Sequence, residues 1–169
     1  MVTHRVRIAI VVGALTAIAV AIILLLSRND STSSTGTGSA VADLSDPLIV
    51  EFRETERICI AAFNDALARQ GRNEIDELGL AHAIEQDALT PWQALRAKVA
   101  AASPSPRNAA LYVALHRYLV ARETAWQAYA AALRSPDTEA RRHYDAYRAK
   151  NAEADAVARE LGAIFRAAQ

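Results

Sequence analysis

Three side chains stand where helix periodicity places apolar ones. In "LHRYLVARETAWQAYAAAL", residues 115–133, Leu115, Tyr118, Leu119, Trp126, Tyr129 and Leu133 share one helix face, and Arg122 falls in its middle. Glu56 stands at the centre of the face formed by Ile49, Phe52, Cys59, Ile60, Phe63 and Leu67. Asn151 stands near the centre of Ala140, Tyr144, Tyr147, Ala154, Ala158, Leu161 and Phe165. A guanidinium, a carboxylate and a carboxamide can orient a substrate or hold charge in a pocket. They can also fix which helices pair inside a core. An unpaired charge in an apolar interior is costly, so the fold must supply partners.

Folding the chain at Gly71, near Pro104 and at Ser135 puts the three at one level. Glu56 maps onto about residue 87, then about 122, then about 149. The expectation is a single buried polar layer: Glu56 paired with Arg122, completed by Asn151 and by Glu85 or Gln86. Such a layer reads as a structural register device. Its rivals are a ligand pocket at the same level, or a helix rotated so that Arg122 snorkels to the edge.

Other chemistry-bearing residues carry less. His82 and Glu85 lie one turn apart, as do Glu139 and His143. Di-iron bundles need paired Glu-x-x-His motifs and two further carboxylates, and that pattern is absent. There is no C-x-x-C-H, and Met1 is the only methionine, so haem has no support and no cofactor is expected. Cys59, the single cysteine, sits on an apolar face as a small core residue, with no adjacent base to activate it. His116 falls on the polar face of its helix. No nucleophile elbow, zinc-protease or phosphate-loop motif occurs. Trp92, Trp126, Tyr118, Tyr129, Tyr144 and Tyr147 read mostly as core. The four tyrosines, Tyr118, Tyr129, Tyr144 and Tyr147, could form a tyrosine-rich end near the Ser135 turn, an interface if exposed.

The elements that must position these residues are helices. Alanine is abundant among other strong helix formers, and no strand or hairpin signal appears. Asp46 and Pro47 open a first helix that stops at Gly71. "RNEIDELGLAHAIEQDAL" follows, with a restart at Thr90-Pro91. "SPSP" at 103–106 breaks the chain before a long helix to about Arg134. Ser135 as cap and Pro136 at the first position then open a last helix running nearly to Gln169. Four rods joined by short turns predict an all-α, antiparallel up-down four-helix-type bundle over 44–169, its second rod broken at Thr90-Pro91. The alternative is three long helices with a small helical hairpin at the side.

Upstream, residues 8–26, "IAIVVGALTAIAVAIILLL", hold no charge and span roughly 29 Å as a helix, close to a bilayer's hydrocarbon thickness. His4, Arg5 and Arg7 precede them, so residues 1–7 are expected in the cytoplasm and the rest outside. Arg28 opposes that orientation but is followed by Asp30. In a bacterial envelope, which the Ala/Arg-rich composition suggests, the outer side is the periplasm. Cleavage at Ala40-Val41-Ala42 is the rival reading. The apolar run is longer than a signal peptide's, and that motif lies sixteen residues past Leu26. Residues 27–43 read as a flexible Ser/Thr/Gly linker, with a glycosylated stalk as the lesser reading.

The net charge is +0, which removes any bulk electrostatic case for nucleic acid. The expected function is a membrane-anchored, non-enzymatic helical module of the cell envelope. It would bind an envelope protein or a second copy of itself. The alternative is a ligand-sensing ectodomain that signals through a partner, because only about seven residues remain inside. An enzyme is the third class, and no motif argues for it.

Overall fold

A computed structural model describes residues 41–169. Among these residues every regular element is helical and none is a strand. The membrane-anchor assignment for 8–26 and nearly all of the linker lie outside the described residues. Among the described residues, no helix is long and apolar enough to cross a membrane.

Helix α1 is Pro47–Gly71. Asp46 caps it as expected, its carboxylate accepting from the Leu48 N–H at 3.0 Å, with Pro47 in the first turn. Gly71 is the last helical residue, but the reversal is made by Asn73, whose φ is 59°. The Asn73 N–H donates to the Gln70 carbonyl and the Glu74 N–H to the Arg69 carbonyl, a Schellman closure with asparagine in the left-handed position. Asp76 then caps the next rod through the Gly79 N–H, so this rod begins five residues later than the composition of "RNEID" suggested.

That rod, α2, spans 77–101 and is not broken. It is α-helical over Glu77–Ala83, π-helical over Ile84–Leu89 and α-helical again over Thr90–Ala101. The expected break at Thr90-Pro91 is replaced by a widened turn. Thr90 keeps right-handed helical angles, and its N–H reaches back five residues to the Glu85 carbonyl. The wider turn lets the helix continue past a residue that has no N–H and whose ring crowds the preceding turn.

Helix α3 is Ala109–Arg134 and α4 is Asp137–Ala167. Ser135, read as the cap of α4, instead donates its hydroxyl to the Ala131 carbonyl and closes α3. Pro136 precedes α4 without a side-chain cap.

Side-chain pairs fix the directions. Lys98 near the end of α2 meets Glu51 near the start of α1, and Glu85 meets Arg134 while Arg96 meets Glu123. So α2 runs opposite to both α1 and α3. Arg117 meets Glu160 while Tyr129 meets Tyr144, so α4 runs opposite to α3. Four helices therefore alternate in direction as a bundle. The most extensive helix pairing is α3 with α4. Helix α1 makes no comparable approach to α4.

The core of α1, α2 and α3 is aromatic. Phe52 and Trp92 each meet Tyr118 edge-on, and Trp92 meets Trp126 at 5.1 Å between ring centres. Trp126 stacks on Phe63. The buried Trp92 indole N–H donates to the Leu119 carbonyl at 2.9 Å, which satisfies the one polar atom of the largest core side chain.

Candidate functional site

The sequence singled out Glu56, Arg122, Asn151 and Glu85. The structure buries the first three and leaves Glu85 at the surface. Arg122 lies 7% exposed between α3 and α4. Its Nη1 donates to Asn151 Oδ1 at 2.5 Å and its Nη2 to Asp155 Oδ1 at 3.0 Å. Asn151 Nδ2 donates to the other Asp155 oxygen, closing a three-residue ring of bonds. The ion pair of Arg122 is thus with Asp155 and not with Glu56. Asp155 follows Asn151 by one helical turn on the same face, and that spacing was the signal available for finding it.

Glu56 is bonded to Tyr118, whose hydroxyl donates to Glu56 Oε1 at 2.5 Å. The Tyr118 ring in turn lies 5.5 Å from the Arg122 guanidinium carbon. These contacts connect Glu56, Tyr118, Arg122, Asn151 and Asp155 in a series, without the direct Glu56–Arg122 pair. Burial pushes the Glu56 carboxyl above its ordinary range, against the opposing pull of the Tyr118 bond and the Arg122 charge. Burial also opposes the charge on Arg122, but Tyr118 and Asp155 outweigh it and the guanidinium holds its proton more firmly. Burial and the Glu56 charge raise the Tyr118 hydroxyl. Arg122 Nε is buried with no hydrogen-bond partner. Every ionisable member of the series faces another protein group, which is the arrangement of a structural layer.

Glu85 lies on the π-helical turn and takes a two-pronged bond from Arg134. It therefore stands apart from the layer. The other candidates are equally separate. His82 and Glu139 are exposed, and among the described residues no three His, Cys, Asp or Glu side chains converge as a metal ion would need. Cys59 is fully buried, and burial with the nearby Glu56 charge pushes its thiol up to about 11, far from a reactive thiolate. Of the four tyrosines, Tyr129, Tyr144 and Tyr147 gather, with Tyr129 and Tyr147 4.9 Å apart and all three half-buried, whereas Tyr118 lies in the core against Phe52 and Trp92. Burial, with its two tyrosine neighbours and Glu77, pushes Tyr129 up to about 12.

Two polar clusters went unread in the sequence. Asn108, 1% exposed, binds the chain at the entry to the bundle. Its Oδ1 accepts from the Asp43 N–H at 2.7 Å, and its Nδ2 donates to the Asp43 carbonyl and to Asp46. Tyr112 donates its hydroxyl to the same Asp46 carboxylate at 2.9 Å. The second cluster surrounds Glu123, 8% exposed on α3. It accepts from Arg96 at 2.5 Å and from both Gln93 and Gln127 at 3.2 Å. Helix periodicity put Glu123 beside Arg122 without indicating that α2 supplies its partners.

Above this second cluster lies an open cleft of about 590 Å³ between α2 and α3. Glu85, Gln86, Leu89 and Thr90 of the π turn and its exit line one side, with Gln93 beyond. Gln127, Ala131, Arg134 and Ser135 line the other. The π turn lies along one side, and π turns recur at functional positions in helices. Its lining carries three amides and two hydroxyls beside the Glu85–Arg134 pair.

Comparison with protein-family models, with curated proteins and with solved structures found no match.

Proposed function

We propose that the chain is a membrane-tethered, extracytoplasmic helical module that works by recognition and not by catalysis, as an interaction or accessory protein of the cell envelope. The observation that carries this reading is how the bundle uses its ionisable groups. Glu56, Arg122, Asp155 and Glu123 are each bonded to other protein side chains in the interior, and Cys59 is a buried, firmly protonated thiol. What the surface offers is an amide- and hydroxyl-lined cleft. The tether is argued from the uncharged run at 8–26, its basic flank and the Ser/Thr/Gly stretch after it.

A second reading, a ligand-sensing ectodomain, is favoured by the cleft.

Two experiments test the proposal. A reporter that is active only outside the cytoplasm, fused after Gln169, is expected to be active, and an inactive fusion would remove the topology. Purification of the tagged full-length chain in mild detergent is expected to bring down a reproducible stoichiometric envelope protein. A monomer carrying a small molecule would instead favour the sensing reading.

A further inference from the structure

On α1, α2 and α3 every arginine and lysine except Arg53 lies within ion-pair reach of a carboxylate. Helix α4 differs. Arg141, Arg142, Arg148, Arg159 and Arg166 are all exposed, and none makes an ion pair among the described residues. Four of them form one row. Arg141, Arg148, Arg159 and Arg166 are separated by 7, 11 and 7 residues, so they lie within about 20° of a single line along the helix. Arg142 lies about 100° from that line. The acids of α4 offset the row unevenly. Asp137 and Asp145 flank its start at Arg141. Further on, Asp155 is turned inward onto Arg122, while Glu153 and Glu160 are taken up by Lys150 and Arg117. From Arg148 to Arg166 the row keeps its cations with no exposed acid beside them. Exposed alanines, Ala152, Ala156 and Ala163, run alongside. Buried Ala154, Ala158, Leu161 and Phe165 seat this stretch on the bundle, so the row is presented on a fixed rod.

We propose that this flank of α4, from Arg148 to Arg166, docks an acidic helix of a partner envelope protein, an inference that rests on the interaction reading above. Carboxylates at i, i+7 and i+18 of an antiparallel helix fall on one line and meet Arg166, Arg159 and Arg148 in turn. Antiparallel packing also sets the two helix dipoles favourably against each other. The distance between packed helices is set by the side chains at the contact, and the alanines beside the row let a second rod come close. Other polyanions match less well. A second copy, packed two-fold through α4, sets the row against itself, like charge on like. A lipid surface calls for large apolar side chains among the cations, and no large hydrophobic residue of α4 is exposed. Phosphates along each strand of duplex DNA recur about every 3.4 Å, several times more densely than cations about 10 and 16 Å apart.

The test is arginine side-chain NMR of the full-length chain in uncharged detergent micelles at low salt. The probe is an alanine–glutamine helical peptide whose three glutamates repeat the spacing of the row in antiparallel order. Its control carries the same three glutamates on three different faces. The patterned peptide is expected to shift the Arg148, Arg159 and Arg166 resonances saturably below about 1 mM, and to lose affinity as salt is raised. Arg148→Gln with Arg159→Gln should weaken it by about tenfold. Arg142→Gln, off the line, should leave it unchanged. Both variants alter only exposed side chains and keep a good helix former in place. A control peptide that binds as tightly overturns the proposal, because charge alone then suffices. Inorganic polyphosphate, or phosphatidylglycerol doped into the micelles, acting on the row more strongly than the patterned peptide overturns the assignment to a helix. Silence from the peptide overturns the surface as well. The interaction reading is scored separately by the co-purification above: a stoichiometric partner retained by the double arginine variant sinks this surface and leaves that reading standing.

Discussion

At the scale of single residues, Arg122 shows how a charge is kept inside a helical core. Its two terminal nitrogens are matched to Asn151 and Asp155, while its Nε is not matched. Removing one member of a buried pair leaves the other uncompensated, so Arg122→Met alone is expected to cost about 3–5 kcal/mol in urea unfolding. Arg122→Met with Asp155→Leu should recover most of that loss, because a well-packed apolar pair replaces the ionic one. Additive losses in the double variant would contradict the pairing. Glu56 makes a different prediction. Its folded pKa is raised, chiefly by burial, so the folded state binds the proton more tightly than the unfolded chain. The stability it contributes is present below its ordinary value of 4.5 and is lost as pH rises through the folded value. Glu56→Gln keeps an acceptor for Tyr118 and removes that loss. The variant should therefore melt higher than the parent at pH 8, with the difference shrinking toward pH 5, in thermal scans at matched ionic strength.

At the scale of elements, the π turn in α2 decides what the second half of the rod shows to the core. One extra residue in a turn rotates everything after it by about 100°. Deleting Gln86 should restore α-helical pitch, and because the wider turn absorbs one residue, Trp92 should keep its place against Leu119. A displaced Trp92 in the deletion variant, read by fluorescence, would contradict this. The same element shows where sequence reasoning stopped. Asp46-Pro47 announced a helix start correctly, because a cap and a first-turn proline are local facts. Thr90-Pro91 announced a break that the chain does not make. A missing N–H can be absorbed by interrupting a helix or by widening it, and the choice depends on where Trp92 has to point. The polar layer divided in the same way. Counting residues put Glu56, Arg122 and Asn151 at one level, but level says nothing of rotation. Rotation is what gives Arg122 to Asp155 on α4 and gives Glu56 to Tyr118. Glu85 shared that level in the count, yet it turns outward to Arg134.

At the scale of the whole molecule, α3 is the shared wall. It carries the aromatic core on the sides facing α1 and α2 and the Arg122 bonds to Asn151 and Asp155 on the side facing α4. Helix α4 is unevenly held. Over 137–150 only Ala140 is buried, whereas 151–165 buries Asn151, Ala154, Asp155, Val157, Ala158, Leu161, Gly162 and Phe165. Amide hydrogen exchange is therefore expected to be faster over 141–149 than over 154–165. Uniform protection along α4 would contradict this. The clasp at Asn108 has a consequence of a mechanical kind. Any pull delivered through the residues preceding Asp43 reaches Asn108 before it reaches α1, so the load passes first to α3. Helices α1 and α3 run in the same direction, as the Asp46–Tyr112 and Phe63–Trp126 contacts show. To be drawn out from that end, α1 must slide lengthwise against its neighbours, with Phe52 and Phe63 resisting together. A pull along the axis of α1 would therefore load the bundle in shear and not in peel.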